Sequence, residues 1–155
     1  MERLLTLPVV LLCQALLCSG FAPEFINPTG TYTLAGHVRK NHVLGHSGEI
    51  RVELLDSQRI AISCYINKGY PNYESGSLID TIAYEVNVAR YHPSCDSTCT
   101  LIFHFYPKNV ELLGLYDNPH SSCGFAMGVM TAAVFEKTSE DRPVIQDLSA
   151  HGNLH

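Results

Sequence analysis

No GxSxG elbow, HExxH signature or glycine-rich phosphate loop occurs in this sequence. The commonest hydrolase, metalloprotease and nucleotide chemistries therefore have no motif to rest on. Internal repeats, low-complexity tracts and runs of like charge are missing too, which argues against a solenoid or a disordered chain. No helical period of useful length can be found, so a helix bundle is not expected. Basic charge is in short supply: 10 Lys and Arg stand against 15 Asp and Glu, a formal net charge of −5. A mildly acidic surface is a poor partner for nucleic acid or an anionic membrane. Even an N-glycosylation sequon is lacking, because Asn27 is followed by Pro28.

What is present begins with a leader. Arg3 precedes an apolar run from Leu4 to Leu17, and the small residues Ser19 and Gly20 follow. That order reads as a secretory signal peptide over residues 1–20. The run of 14 residues falls short of the roughly 20 a membrane-spanning helix needs, so no membrane span is expected after cleavage. Residues 21–142 then form one secreted domain, of a size that can build its own core, and residues 143–155 a flexible polar tail. Loss of the leader removes Cys13 and Cys18 and leaves Cys64, Cys95, Cys99 and Cys123. An even count in an exported chain reads as disulfides. Three connectivities are open. The pairing Cys99 with Cys123 and Cys64 with Cys95 is favoured, because a Cys95 to Cys99 bridge would close a very small ring.

The centre of the chain is the stretch from Cys95 to Phe125. Leu101, Phe103 and Phe105 alternate with Thr100, Ile102, His104 and Tyr106, the period of a strand buried on one side. Pro107-Lys108-Asn109 turns the chain, and NVELLGLY returns as the antiparallel partner. A bridge between Cys99 and Cys123 would close about 24 residues and stabilise by roughly 3 kcal/mol in the chain-entropy model. Further strands are expected over Thr31–Leu34, Glu49–Leu55, Arg59–Asn67, Leu78–Tyr91 and Cys123–Lys137. In Arg59–Asn67 the phase of Ile60, Ile62, Cys64 and Ile66 puts Cys64 on the buried face. The expected fold is all-β: a single antiparallel barrel or half-barrel of about seven or eight strands, up-and-down and stapled by disulfides.

Candidate chemistry is sparse. His92, Cys95, Cys99, His120 and Cys123 have a zinc-like ligand set, but in an oxidising compartment disulfides are the expected use of those cysteines, and no metal is assigned. His37, His42 and His46 form a loose group without a carboxylate or cysteine beside it and read as solvated loop residues. The segment KGYPNYESG is a loop by composition and carries Tyr70 and Tyr73. Tyrosines on a loop held by a rigid sheet are recognition material, although rings folded back over the barrel mouth are the commoner arrangement.

From Cys99 onward, CTLIFHF, a short hairpin and then SCGFAMGV resemble small exported bacterial-envelope domains with a CxLxFxF strand followed by a CGFG strand, some of which look like lysozyme inhibitors. The likeness covers about residues 76–137. It departs at Ala126, where that pattern has glycine, and in the added Cys64 and Cys95. It implies a secreted, disulfide-tied β domain with an inhibitor role. The expected function is a secreted, non-catalytic domain that presents loops to an extracellular protein or glycan, with inhibition of a hydrolase as one form of this. Tyr70, Tyr73, Tyr116, Asp117 and His120 are the candidate contacts, and no cofactor is assigned. A carrier of a small apolar ligand, lined by Phe103, Phe105, Phe125 and Met127, is the alternative. An enzyme with a histidine and carboxylate cleft ranks third.

Overall fold

The computed structural model describes residues 23–118, 120–129 and 132–146. The proposed leader and most of the polar tail lie outside the described residues. Ten strands follow in order: β1 (Gly30–Leu34), β2 (His37–Arg39), β3 (His42–Leu44), β4 (Ser47–Asp56), β5 (Arg59–Asn67), β6 (Ser75–Glu85), β7 (Val88–Tyr91), β8 (Cys99–Phe105), β9 (Asn109–Tyr116) and β10 (Ala133–Ser139). Eight of them close into an antiparallel barrel, and β2 and β3 form a separate two-stranded sheet. Each barrel strand pairs with its neighbours in chain order and β10 closes on β1, so the barrel is up-and-down, as the alternation implies.

The alternation also fixes what lies inside. Ile60, Ile62, Cys64 and Ile66 of β5, Leu101, Phe103 and Phe105 of β8, and Tyr32, Val110, Leu112 and Phe135 from the closing strands belong to one buried cluster. Each fully buried Leu, Ile or Phe contributes about 1.5–3 kcal/mol, and this cluster is the main source of stability. Met127 is the exception to the expected lining: it is 77% exposed. The stretch Cys123–Val129 runs through turns rather than a strand, and β10 begins only at Ala133. Leu78–Tyr91 is likewise two strands. Val86 and Asn87 both take positive φ, at 50° and 63°, which is the two-residue turn that matches the twist of a hairpin. A β-branched residue is a poor signal for such a turn, so the run reads as unbroken in sequence.

Cys99 and Cys123 are joined by a disulfide. The second expected bridge is not formed: Cys64 and Cys95 are free thiols, one buried and one exposed. The cause is the β5 phase itself. Cys64 pairs with Ile50 and Leu78 in mid-strand and points into the barrel, while Cys95 sits on the surface connection before β8. Burial pushes the Cys64 thiol pKa up, so it is an inert part of the core.

The two ends of the barrel differ. At one, hereafter the turn end, strands are joined by residues 57–58, 86–87 and 106–108. Residues 23–29 also pack there. Tyr84 donates to Ile26 O at 2.6 Å, Tyr32 donates to Pro28 O at 2.8 Å, and Asn87 bonds both Ile26 N and Glu24 O. Phe25, Tyr84, Phe105 and Tyr32 meet edge to face in sequence, with centroids 5.6–5.9 Å apart. Burial raises the Tyr84 hydroxyl pKa to about 12. The first described residues are thus held rather than loose. Just after β10, Arg142 is paired with Glu53, and Arg51 donates to Val144 O.

At the opposite, loop end, the connections are residues 35–46, 68–74, 92–98 and 117–132. Here β6 and β7 diverge: they share only the pairs Tyr84↔Ala89 and Glu85↔Val88, near the turn end. Phe125, from the last connection, packs against Gly76 at the start of β6. A Cβ at Gly76 would come within 2.1 Å of the Phe125 ring, so only glycine allows this approach.

Candidate functional site

All five candidate contact residues lie at the loop end. So do His37, His42, His46, His92 and His120, leaving His104 as the one described histidine elsewhere. The best organised part is built from the β2–β3 hairpin and residues 68–74. Lys40 and Asn41, with φ of 48° and 63°, make the same type of two-residue turn as Val86-Asn87. The resulting hairpin stands outside the barrel. Residues 68–74 lie along its β3 edge, with Tyr70 N donating to Val43 O at 2.7 Å. Gly69 permits this: a Cβ there would lie 2.5 Å from Gly45 O and 2.6 Å from Val43 O, and its φ is +75°.

Within that loop the backbone is held at several points. Gly69 N donates to the Asn67 side chain at 2.7 Å, and Asn67 Nδ2 donates to Tyr73 O at 2.8 Å. Lys68 N bonds Glu74 O and Tyr73 N bonds Gly69 O, both at 2.9 Å. Lys68 and Glu74 also form an ion pair. Tyr73 takes a φ of 51°, a left-handed conformation that costs a residue with a side chain about 1–2 kcal/mol. These bonds offset that cost. The outcome is a fixed group of three rings: His42 and Tyr70 stack with centroids 4.4 Å apart, and Tyr70 and Tyr73 meet edge to face at 6.4 Å. The Tyr73 hydroxyl lies 3.4 Å from His42 Nδ1. Tyr70 is 49% exposed and Tyr73 42%, so the rings neither sink into the barrel mouth nor stand free. They offer a half-exposed, preformed aromatic surface.

The same patch is tied to the long connection that carries Cys123. His46 Nε2 donates to Gly128 O at 3.2 Å and Lys68 Nζ to Met127 O at 3.3 Å. Met127 therefore projects beside the loop, exposed.

Tyr116, Asp117 and His120 belong to a second group. Tyr116 ends β9 opposite Cys99 and is half exposed. Asp117 N donates to Thr98 O at 3.2 Å and His120 N to the Asn118 side chain at 2.9 Å. Among the described residues no hydrogen bond, ion pair or ring contact joins these three to Tyr70 or Tyr73. What organises this group is Asp96. Its carboxylate accepts from Ser121 Oγ at 2.6 Å, Thr98 Oγ1 at 2.6 Å and Thr98 N at 3.0 Å. The Ser121 bond and then those from Thr98 hold its pKa below the usual carboxylate value. Asp96 thereby fastens the connection before β8 to the one after β9, alongside the disulfide.

Sequence reasoning took His42 for a solvated loop residue and passed over Asp96. For His42 a signal exists: HVRKNHVL is a short alternating pair about a Lys-Asn turn. For Asp96 the partner Ser121 is far along the chain, and only the folded structure brings them together. The zinc-like constellation loses Cys99 and Cys123 to the disulfide, and His92 Nδ1 lies 3.1 Å from Thr100 Oγ1. Among the described residues no group of three or more metal-binding side chains converges, and no helix is long and apolar enough to cross a membrane. Comparisons with protein-family models, curated proteins and solved structures returned no match.

Proposed function

We propose that the chain is a secreted, non-catalytic binding module whose loop end contacts an extracellular protein or glycan, with inhibition of a hydrolase as one form of this. The observation that carries this reading is the ring group of His42, Tyr70 and Tyr73. It is half exposed, yet its backbone is pinned by bonds from Asn67, Val43 and Gly69. Tyrosines ordered before binding supply contact area at little entropic cost. The disulfide is compatible with an extracellular setting. The carrier alternative draws no comparable support, since Phe103, Phe105 and Phe125 pack into one interior cluster with their neighbours.

The test is capture of a partner from the native extracellular fluid by the oxidised mature protein and by a Tyr70→Ala, Tyr73→Ala double variant. The variant is expected to bind the captured partner about thirtyfold or more weakly, the effect of losing aromatic anchors. Its unfolding midpoint should stay near that of the wild type. Undiminished capture by the double variant would remove the ring group from the interface.

A further inference from the structure

The β2–β3 hairpin has two edges, and the chain treats them differently. In a hairpin closed by a two-residue turn, the residues flanking the turn share both hydrogen bonds, and the next pair points its N–H and C=O groups away from each other. Here the flanking pair is Arg39 with His42 and the next pair is Val38 with Val43. Val43 presents its carbonyl outward, and Tyr70 N–H takes it at 2.7 Å. Val38 presents its N–H and carbonyl on the opposite side. There β2 has no strand beside it, and among the described residues no hydrogen bond reaches them. All three β2 residues are exposed, Val38 at 68%.

Charge distinguishes this edge from an ordinary leftover. In a chain of net charge −5, the run from Ala35 to Gly48 contains Arg39, Lys40, His37, His42 and His46 and not one carboxylate. Glu74, on the neighbouring loop, is occupied by Lys68. The hairpin is a cationic projection from an acidic protein. A second copy of the same chain would bring like charges together across the new pairing, which disfavours self-association.

We infer that the free edge of β2 receives an extended, acidic peptide segment of the partner as an added strand. The backbone of that segment pairs with Val38, and its carboxylates face Arg39 and Lys40. Strand addition supplies main-chain hydrogen bonds, and alternate side chains supply the selection. Three residues of edge offer few such bonds, so the charges are required for affinity and the complex weakens with salt. This rests on the binding-module reading and names the chemistry of the partner for it.

The experiment uses the full mature, oxidised protein and a fluorescein-labelled hexapeptide alternating glutamate with valine or threonine. A lysine-for-glutamate counterpart and a sulfated oligosaccharide serve as competing probes. Fluorescence anisotropy gives affinity, and NMR-detected exchange reports the Val38 amide. Expected are binding of the acidic peptide only and slowing of Val38 exchange by about tenfold or more at saturation. Val38→Pro, which removes the donor, and Arg39→Glu with Lys40→Glu, which leaves the backbone intact, should each weaken binding about tenfold or more. Equal binding of both peptides, binding of the oligosaccharide in place of the acidic peptide, unchanged Val38 exchange, or a dimer formed through this edge would each overturn the proposal. If the peptide fails while native capture still depends on Tyr70 and Tyr73, the binding-module reading survives and only the strand addition falls.

Discussion

The turn end and the loop end of this barrel are made from the same eight strands, yet they spend sequence in opposite ways. Turns of two or three residues close one end, and residues 23–29 are stitched across it by Tyr32, Tyr84 and Asn87. At the other, four connections of 7 to 16 residues carry most of the described histidines and every candidate contact except Tyr116, which ends β9 beside them. Antiparallel neighbours can be joined by two residues, so the barrel does not need those lengths for closure. They are extra surface mounted on a rigid frame, the usual position of recognition residues. The turn end supplies stability, and the loop end supplies the surface.

Three substitutions test that division, the largest effect first. Phe105 joins Tyr32 and Tyr84 at the sealed end, so Phe105→Ala should cost about 3–5 kcal/mol in urea unfolding. A cost near that of a surface change would mean that this end is not part of the core. Replacing Cys99 and Cys123 by serine should cost about 3 kcal/mol and speed proteolysis of residues 117–129 before the barrel unfolds. If the turn end loosens first, the two ends are more tightly coupled than described. The smallest effect belongs to Asp96. Its pKa is lowered in the folded state, so its contribution is present above the ordinary carboxylate range and is lost as pH falls through the folded value. As pH falls below the ordinary aspartate value of about 4, stability should fall less steeply for Asp96→Asn than for the wild type. Parallel pH profiles would show that the Ser121 and Thr98 bonds do not favour the charged form.

The same contrast explains what could be read from the sequence. Strands of period two with one buried face, such as Arg59–Asn67 and Cys99–Phe105, announce themselves, because burial demands the pattern. So does the Cys99–Cys123 bracket around a hairpin. The loop end was legible as composition only. Tyr70 and Tyr73 could be picked out as loop aromatics. Their grouping with His42, through the Tyr70 ring and the Tyr73 hydroxyl, depends on the small hairpin and on Gly69 lying against Val43 O, contacts that no local pattern encodes. The Cys64 to Cys95 pairing failed for a related reason. Counting cysteines gave a pair, while the strand phase, equally visible, already placed one thiol inside.

The most direct measurement exploits Cys95, the one exposed thiol among the described residues, which sits at the loop end on the connection before β8. One preparation is tethered to beads through Cys95. The other carries Cys95→Ser with Val86→Cys and is tethered through the turn end, where Val86 is 70% exposed. The account predicts that the partner is captured from native fluid by the second preparation and lost from the first, whose loop end is occluded. Equal capture by both, or capture only through the Cys95 tether, would contradict the assignment of binding to the loop end.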